Sequence, residues 1–212
     1  MDFLASLSSL PLRRVPVQER SRLKVARALS AAAEILRAEG PEAISLTKVA
    51  TAAGLSDGAL YQYLPDRDHI LQALVAGHYA RVEHVYDDVQ KAIDDGAPTD
   101  GVVEQVISAL ADVYREDQPV RLVANASTSR AGLDQRDAHR ERVATKLTSA
   151  LRASGLVPDA TPERIERMAK IAFLTGDALL RDTFESTDAD RGWMLAELGE
   201  MLRLYLSPRP YA

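Results

Sequence analysis

The residues best placed to do chemistry lie between Ser45 and Arg67, in the stretch SLTKVATAAGLSDGALYQYLPDR. Their types suit contact with a polyanion rather than the making of bonds. Ser45 stands where it can cap a short helix, and Thr47 and Lys48 follow in the first turn, where free backbone N–H groups can meet a phosphate. Gly54 supplies the positive φ of a sharp turn, and Leu55 is the apolar turn residue that plugs inward. Ser56 is placed to cap a second helix running through about Tyr63. That helix opens Asp57-Gly58-Ala59, side chains short enough to bring the backbone close to base edges. Tyr61, Gln62 and Tyr63 follow, and Arg67 begins the next helix after the Pro65-Asp66 stop. Helix, glycine turn, helix is the layout of a helix-turn-helix, whose second helix enters the DNA major groove. Asp57 admits two readings there: it caps its own helix, or it accepts a hydrogen bond from cytosine N4.

Nothing else in the chain has the spacing of a reactive centre. The four histidines are His69, His78, His84 and His139, and none forms an HExxH or another helical ligand pair. His78 falls on an apolar helical stripe, where a satisfied core histidine is the default. Asp94-Asp95 and Glu116-Asp117 read as solvated helix ends. No glycine-rich phosphate loop and no GxSxG elbow occur. The absence of cysteine excludes disulfides and thiolate metal sites. No catalytic residue, metal or cofactor is expected.

The charge is distributed as a nucleic-acid reader needs. Net charge is −5, but residues 1–70 carry +1 and the six basic residues between Arg13 and Arg27 are opposed only by Glu19. A basic patch on an acidic body meets phosphates while limiting nonspecific binding. No apolar run approaches the roughly 18 residues of a membrane span. The basic residues of the N-terminal segment follow MDFLASLSSL, the wrong order for a secretory signal, so a cytoplasmic protein is expected.

The elements that must position this set are all helical. A first helix over about Arg20–Glu39 carries Val25, Leu29, Ala32 and Leu36 on one face. The two short helices follow. A fourth, about Arg67–Ile93, keeps Leu71, Val75, His78, Val82, Val85 and Val89 in register. Further helices are expected over about Thr99–Arg115, Val120–Ser127, Asp134–Ala153, from Pro162 behind a Thr161 cap, and Ala189–Leu206. The architecture is all-α, about nine helices. A flexible basic arm (1–18) precedes a three-helix DNA-binding bundle with the helix-turn-helix (19–66) and a second helical domain (67–212).

Residues 20–75 resemble the DNA-binding domain of the tetracycline-repressor (TetR) family of bacterial regulators. The likeness is carried by AEILRAEG (33–40), Ser45, Val49-Ala50, Ala53-Gly54-Leu55-Ser56, Gly58, Leu60-Tyr61 and Asp66-Arg67. The chain departs from the pattern at Leu64, where phenylalanine is usual, at Arg67, where lysine is usual, and at Asp57, where basic or polar residues are common. The resemblance implies a DNA-binding transcriptional regulator, in the family majority a repressor, released from its operator by a small molecule. The ligand would bind among helices four to eight, with Tyr86, Tyr114, Asn125, Phe173 and Asp177 as candidate lining residues. A loop is the ordinary explanation of the polar run Asn125–Arg130, and a cavity-facing cluster the sharper one. In the family the last two helices pair across a two-fold axis. Met168, Ala172, Gly176, Leu179, Met194, Leu198, Met201, Leu202 and Tyr205 are the candidate interface, although periodicity alone does not separate such a stripe from intramolecular core. The alternatives are a ligand-independent DNA-binding protein and an all-helical small-molecule-binding protein or enzyme.

Overall fold

The computed structural model describes residues 3–99, 101–185 and 190–207. The expected start of the last helix at Ala189, the first two residues of the arm and residues 208–212 lie outside the described residues. The described residues form helices and no strands. In chain order these are α1 (Phe3–Ser6), α2 (Glu19–Glu39), α3 (Leu46–Ala52), α4 (Asp57–Tyr61), α5 (Arg67–Asp94), α6 (Val102–Glu116), α7 (Gln118–Ala126), α8 (Arg130–Ser154), α9 (Pro162–Glu185) and α10 (Arg191–Leu206). The nine expected helices are α2 to α10. A 3-10 turn, Pro41–Ala43, lies between α2 and α3.

Packing divides the chain into two compact units. The first is Met1–Arg81 with Asp117–Arg136, and the second is Val82–Glu116 with Asp137–Ala212. These bounds differ from the expected boundary before Arg67. Ile70, Leu74 and Val75 of α5, with Val120 and Ala124 of α7, bury in the same core as α2, α3 and α4. A continuous helical stripe does not announce where along its length the neighbours change.

The N-terminal arm, expected to be flexible, places apolar side chains in the first core. Phe3, Leu7 and Leu10 are buried in the first core. Gly77 of α5 makes room for Phe3, since a Cβ there would lie 2.6 Å from Phe3 Cε1. Burying such a phenyl ring contributes on the order of 2 kcal/mol. Isolated apolar residues that plug into another helix need no period of their own.

The core histidine expected on the α5 stripe meets a carboxylate expected at a solvated helix end, and both are buried. His78 Nδ1 and Asp117 Oδ2 lie 3.0 Å apart, and Arg81 donates to the other oxygen of Asp117 at 2.6 Å. Asp117 is 2 % exposed, so it is no solvated helix end; it ties the start of α7 to α5. An unpaired carboxylate at that depth would be strongly destabilising, which is why both partners sit on it.

In the second unit α6, α9 and α10 pack with the later part of α5 and of α8. Glu83 of α5 accepts from Arg142 at 3.0 Å and lies 2.8 Å from His139 Nδ1, both on α8. Lys146 pairs with Asp87 one turn further on. Thr161 caps α9 by accepting the N–H of Arg164 at 3.3 Å, ahead of Pro162. The stripe expected to face a second subunit mostly faces inward. Met168, Ala172, Gly176 and Leu198 are buried within their own unit, Leu179, Met194, Leu202 and Tyr205 are half-buried, and Met201 alone of the set is exposed. The outward apolar residues of these helices are Ile171, Leu174, Trp193, Met201 and Leu204.

Candidate functional site

The turn between α3 and α4 follows directly from Gly54. Its φ is 64°, the N–H of Gly54 donates to Thr51 O at 3.0 Å, and that of Leu55 donates to Ala50 O at 2.8 Å. These two bonds satisfy the last carbonyls of α3 and send the chain into α4. Both short helices are capped as the sequence suggests. Ser45 Oγ accepts the N–H of Lys48 at 3.2 Å, and Ser56 Oγ accepts that of Ala59 at 3.3 Å. The second helix is shorter than expected, ending at Tyr61 rather than about Tyr63. Leu60 and Leu64 are both fully buried, and Pro65 forces the residue before it out of helical conformation.

The side chains of this head are sorted by the partners they already have. Thr47 Oγ1 donates to Asp57 Oδ2 at 2.6 Å. The acid at the front of α4 therefore ties the two short helices together. Lys48 pairs with Glu39 at 2.6 Å across an exposed surface, a contact weak enough for a phosphate to replace. Arg67 donates through Nη2 to Pro41 O at 3.0 Å and lies 3.2 Å from Glu42, so it clamps the 3-10 turn to the start of α5. Asp66 caps α5 by accepting the N–H of His69 at 2.9 Å, which holds the Asp66 carboxyl below its ordinary range.

The outer surface is formed by Ser56, Asp57, Gly58, Tyr61 and Gln62, all exposed, with Ala59 half-exposed. A Cβ added to Gly58 would meet nothing within 4 Å, so space lies open in front of its backbone. Tyr63 is half-buried against the core, so it is set back from that surface. Arg13 is a residue of the arm that sequence alone places within possible reach of DNA but on no partner in the protein. Its backbone N–H donates to Tyr63 O at 3.0 Å and its guanidinium lies 5.3 Å from the centre of the Tyr61 ring. The buried Phe3, Leu7 and Leu10 are the apolar signal that brings it there.

The second unit contains a narrow cavity of about 80 Å³ lined by α5, α6, α8, α9 and α10. Tyr86, Tyr114, Phe173 and Asp177 line it. Asn125 does not: it is an exposed residue of α7, in the other unit. A polar run in sequence does not say which side of a helix, or which unit, carries it. Tyr114 Oη donates to Asp177 Oδ1 at 2.5 Å, and Arg181 pairs with the other oxygen at 2.5 Å. Burial, and then the charge of Asp177, push the Tyr86 phenol well above its ordinary range, so it stays protonated. Among the described residues no cluster of three or more His, Asp or Glu is arranged to hold a metal, and no helix is long and apolar enough to cross a membrane.

Residues 28–74 match the family profile described as bacterial regulatory proteins of the tetR family, and residues 98–206 match the tetracyclin repressor-like C-terminal domain. The chain belongs to the TetR family. TetR regulators are DNA-binding transcription factors and not enzymes, and this TetR protein is a DNA-binding transcriptional regulator. It is 26% identical over 190 residues to an uncharacterised HTH-type transcriptional regulator of Mycobacterium tuberculosis, covering 85% of this chain and 93% of the relative. A putative TetR-family regulator of Mesorhizobium loti superposes with a TM-score of 0.68 at 17% identity, over 89% of this chain and 98% of that one. Thermus thermophilus FadR, a TetR-family repressor solved in complex with lauroyl-CoA, superposes with a TM-score of 0.59 at 21% identity, over 88% and 98%. These likenesses concern the fold.

Proposed function

We propose that this TetR regulator is a cytoplasmic, dimeric repressor whose α4 reads an operator in the major groove and whose second unit senses a small molecule. The observation that carries the DNA reading is the bare front of α4, where the Gly58 backbone faces open space, with half-exposed Ala59 beside it and exposed Gln62 just beyond the helix. Lys48, Tyr61, Ser45 and the docked Arg13 flank that front as phosphate contacts. Thr47, Asp57 and Arg67 hold the head's geometry instead of touching DNA, and Tyr63 supports from behind. The sensing reading is supported by the mostly apolar cavity with a few polar groups gathered in it, the usual form of a ligand site. A ligand coupled to the heads by roughly 1–3 kcal/mol lowers operator affinity about 5- to 150-fold.

Dimerisation is supported by the outward row of Ile171, Leu174, Trp193, Met201 and Leu204 on the last two helices. Exposed large apolar side chains gathered on two adjacent helices are the mark of an interface. A two-fold pair reads two half-sites about 34–36 Å, or a multiple of that, apart.

The test is fluorescence anisotropy on the DNA upstream of the protein's own gene. Tyr61→Ala should weaken binding tenfold or more while the thermal unfolding midpoint stays within a few degrees. Unchanged affinity would remove α4 from the interface.

A further inference from the structure

What the second unit senses is written in the unequal ends of its cavity; the inference below rests on reading that cavity as the sensor site. At one end the walls are Ile93, Val102, Val103, Leu151, Leu156 and Leu206, all aliphatic. Ser154 is the polar liner there, and its hydroxyl is already used: it donates to Leu151 O at 3.0 Å and accepts the N–H of Leu156 at 3.3 Å. At the other end stand Tyr86, Tyr114 and Asp177. Tyr86 is seven residues from Ile93 on α5, about 10 Å at 1.5 Å per residue, so the two ends are separated by the length of a medium alkyl chain. Tyr86 is 5 % exposed and lines the cavity, and its hydroxyl makes no hydrogen bond among the described residues.

Charge then selects the headgroup. None of the lining residues is Lys, Arg or His, while Asp177 presents a carboxylate. A carboxylate or phosphate head placed there would lose its hydration and face a like charge. An ammonium head gains the Asp177 carboxylate and the acceptor oxygen of Tyr86. It displaces Arg181, whose side chain is 32% exposed and returns its guanidinium to water. Size selects the rest. A void of about 80 Å³, at roughly 10–15 Å³ for each water-sized sphere, holds the equivalent of about five to eight waters, the room of one slender molecule.

We propose that the cavity takes a single-chain alkylammonium amphiphile, with its cationic head on Asp177 and its chain lying toward Ile93 and Leu206. Isothermal titration of the full-length protein with n-decylammonium, n-decanol and n-decanoate, each below its micellar range, tests this. Decylammonium should bind at least tenfold more tightly than decanoate and more tightly than decanol. In Asp177→Asn the ammonium preference over decanol should vanish while decanol binding remains; Tyr86→Phe should weaken decylammonium severalfold. Decanoate binding as well as decylammonium, or no decylammonium binding to the wild type, would overturn the assignment whatever the variants do. Decylammonium that binds without releasing operator DNA would support the ligand assignment and remove the regulatory reading.

Discussion

At the scale of single residues, the head shows how one side chain's commitments free another. Asp57 holds Thr47 at 2.6 Å, and Arg67 is spent on Pro41 O and Glu42. Both side chains are already engaged within the head. What is left at the front of α4 is Gly58, whose missing Cβ faces open space. Its φ is not in the left-handed region, so alanine fits the backbone. Gly58→Ala should therefore leave the fold intact, or stabilise it by about 0.5–1 kcal/mol as a helical glycine replaced. If the backbone approaches base edges there, the same change should weaken operator binding several-fold. Equal DNA affinity with raised stability would place Gly58 outside the groove. The types and spacing of these residues could be read from sequence, because capping and turn chemistry are local. Which hydroxyl or guanidinium was already engaged could not, because Glu39, Pro41 and Glu42 come from elements brought close only by folding.

At the scale of elements, the end of α2, both ends of α3 and α5 and the start of α9 follow from caps and glycines in the chain, and Gly40, with φ 85°, ends α2 with its N–H on Leu36 O. The departures have one cause each. Pro65 and the buried Leu64 shorten α4, and Phe3 against Gly77 fixes the arm. Long helices hide their partners most. Nothing in the periodicity of α5 or α8 reveals that Glu83 meets both His139 and Arg142. Burial pushes the Glu83 carboxyl up, but the hydrogen bonds from His139 and Arg142 outweigh it and leave it below its ordinary 4.5. A depressed folded value means that the stabilisation is fully present above about pH 4.5 and is lost as pH falls through the lower folded value. Glu83→Gln should cost about 2 kcal/mol at pH 7 by denaturant unfolding, and clearly less near pH 3.5. A cost independent of pH would mean that Glu83 acts by packing alone.

At the scale of the whole molecule, the family profiles over 28–74 and 98–206 join a DNA-reading unit to a second helical unit, both legible in outline from the sequence. The outward face was not legible, since buried and exposed apolar stripes share one period. Leu198, 2 % exposed, belongs to the subunit's own core; Leu204, more than half exposed, does not. Leu204→Asp with Ile171→Asp should give folded monomers in sedimentation velocity, with thermal stability near that of the wild type and operator affinity lowered at least a hundredfold. An unchanged sedimentation coefficient would remove this face as the interface. The most direct test of a repressor reading its operator as a pair is footprinting of the wild-type protein on the DNA upstream of its own gene. Two protected half-sites should appear, centred about 34–36 Å or a multiple of that apart, fading as salt rises. A single protected half-site, or no protection at low salt, would contradict it.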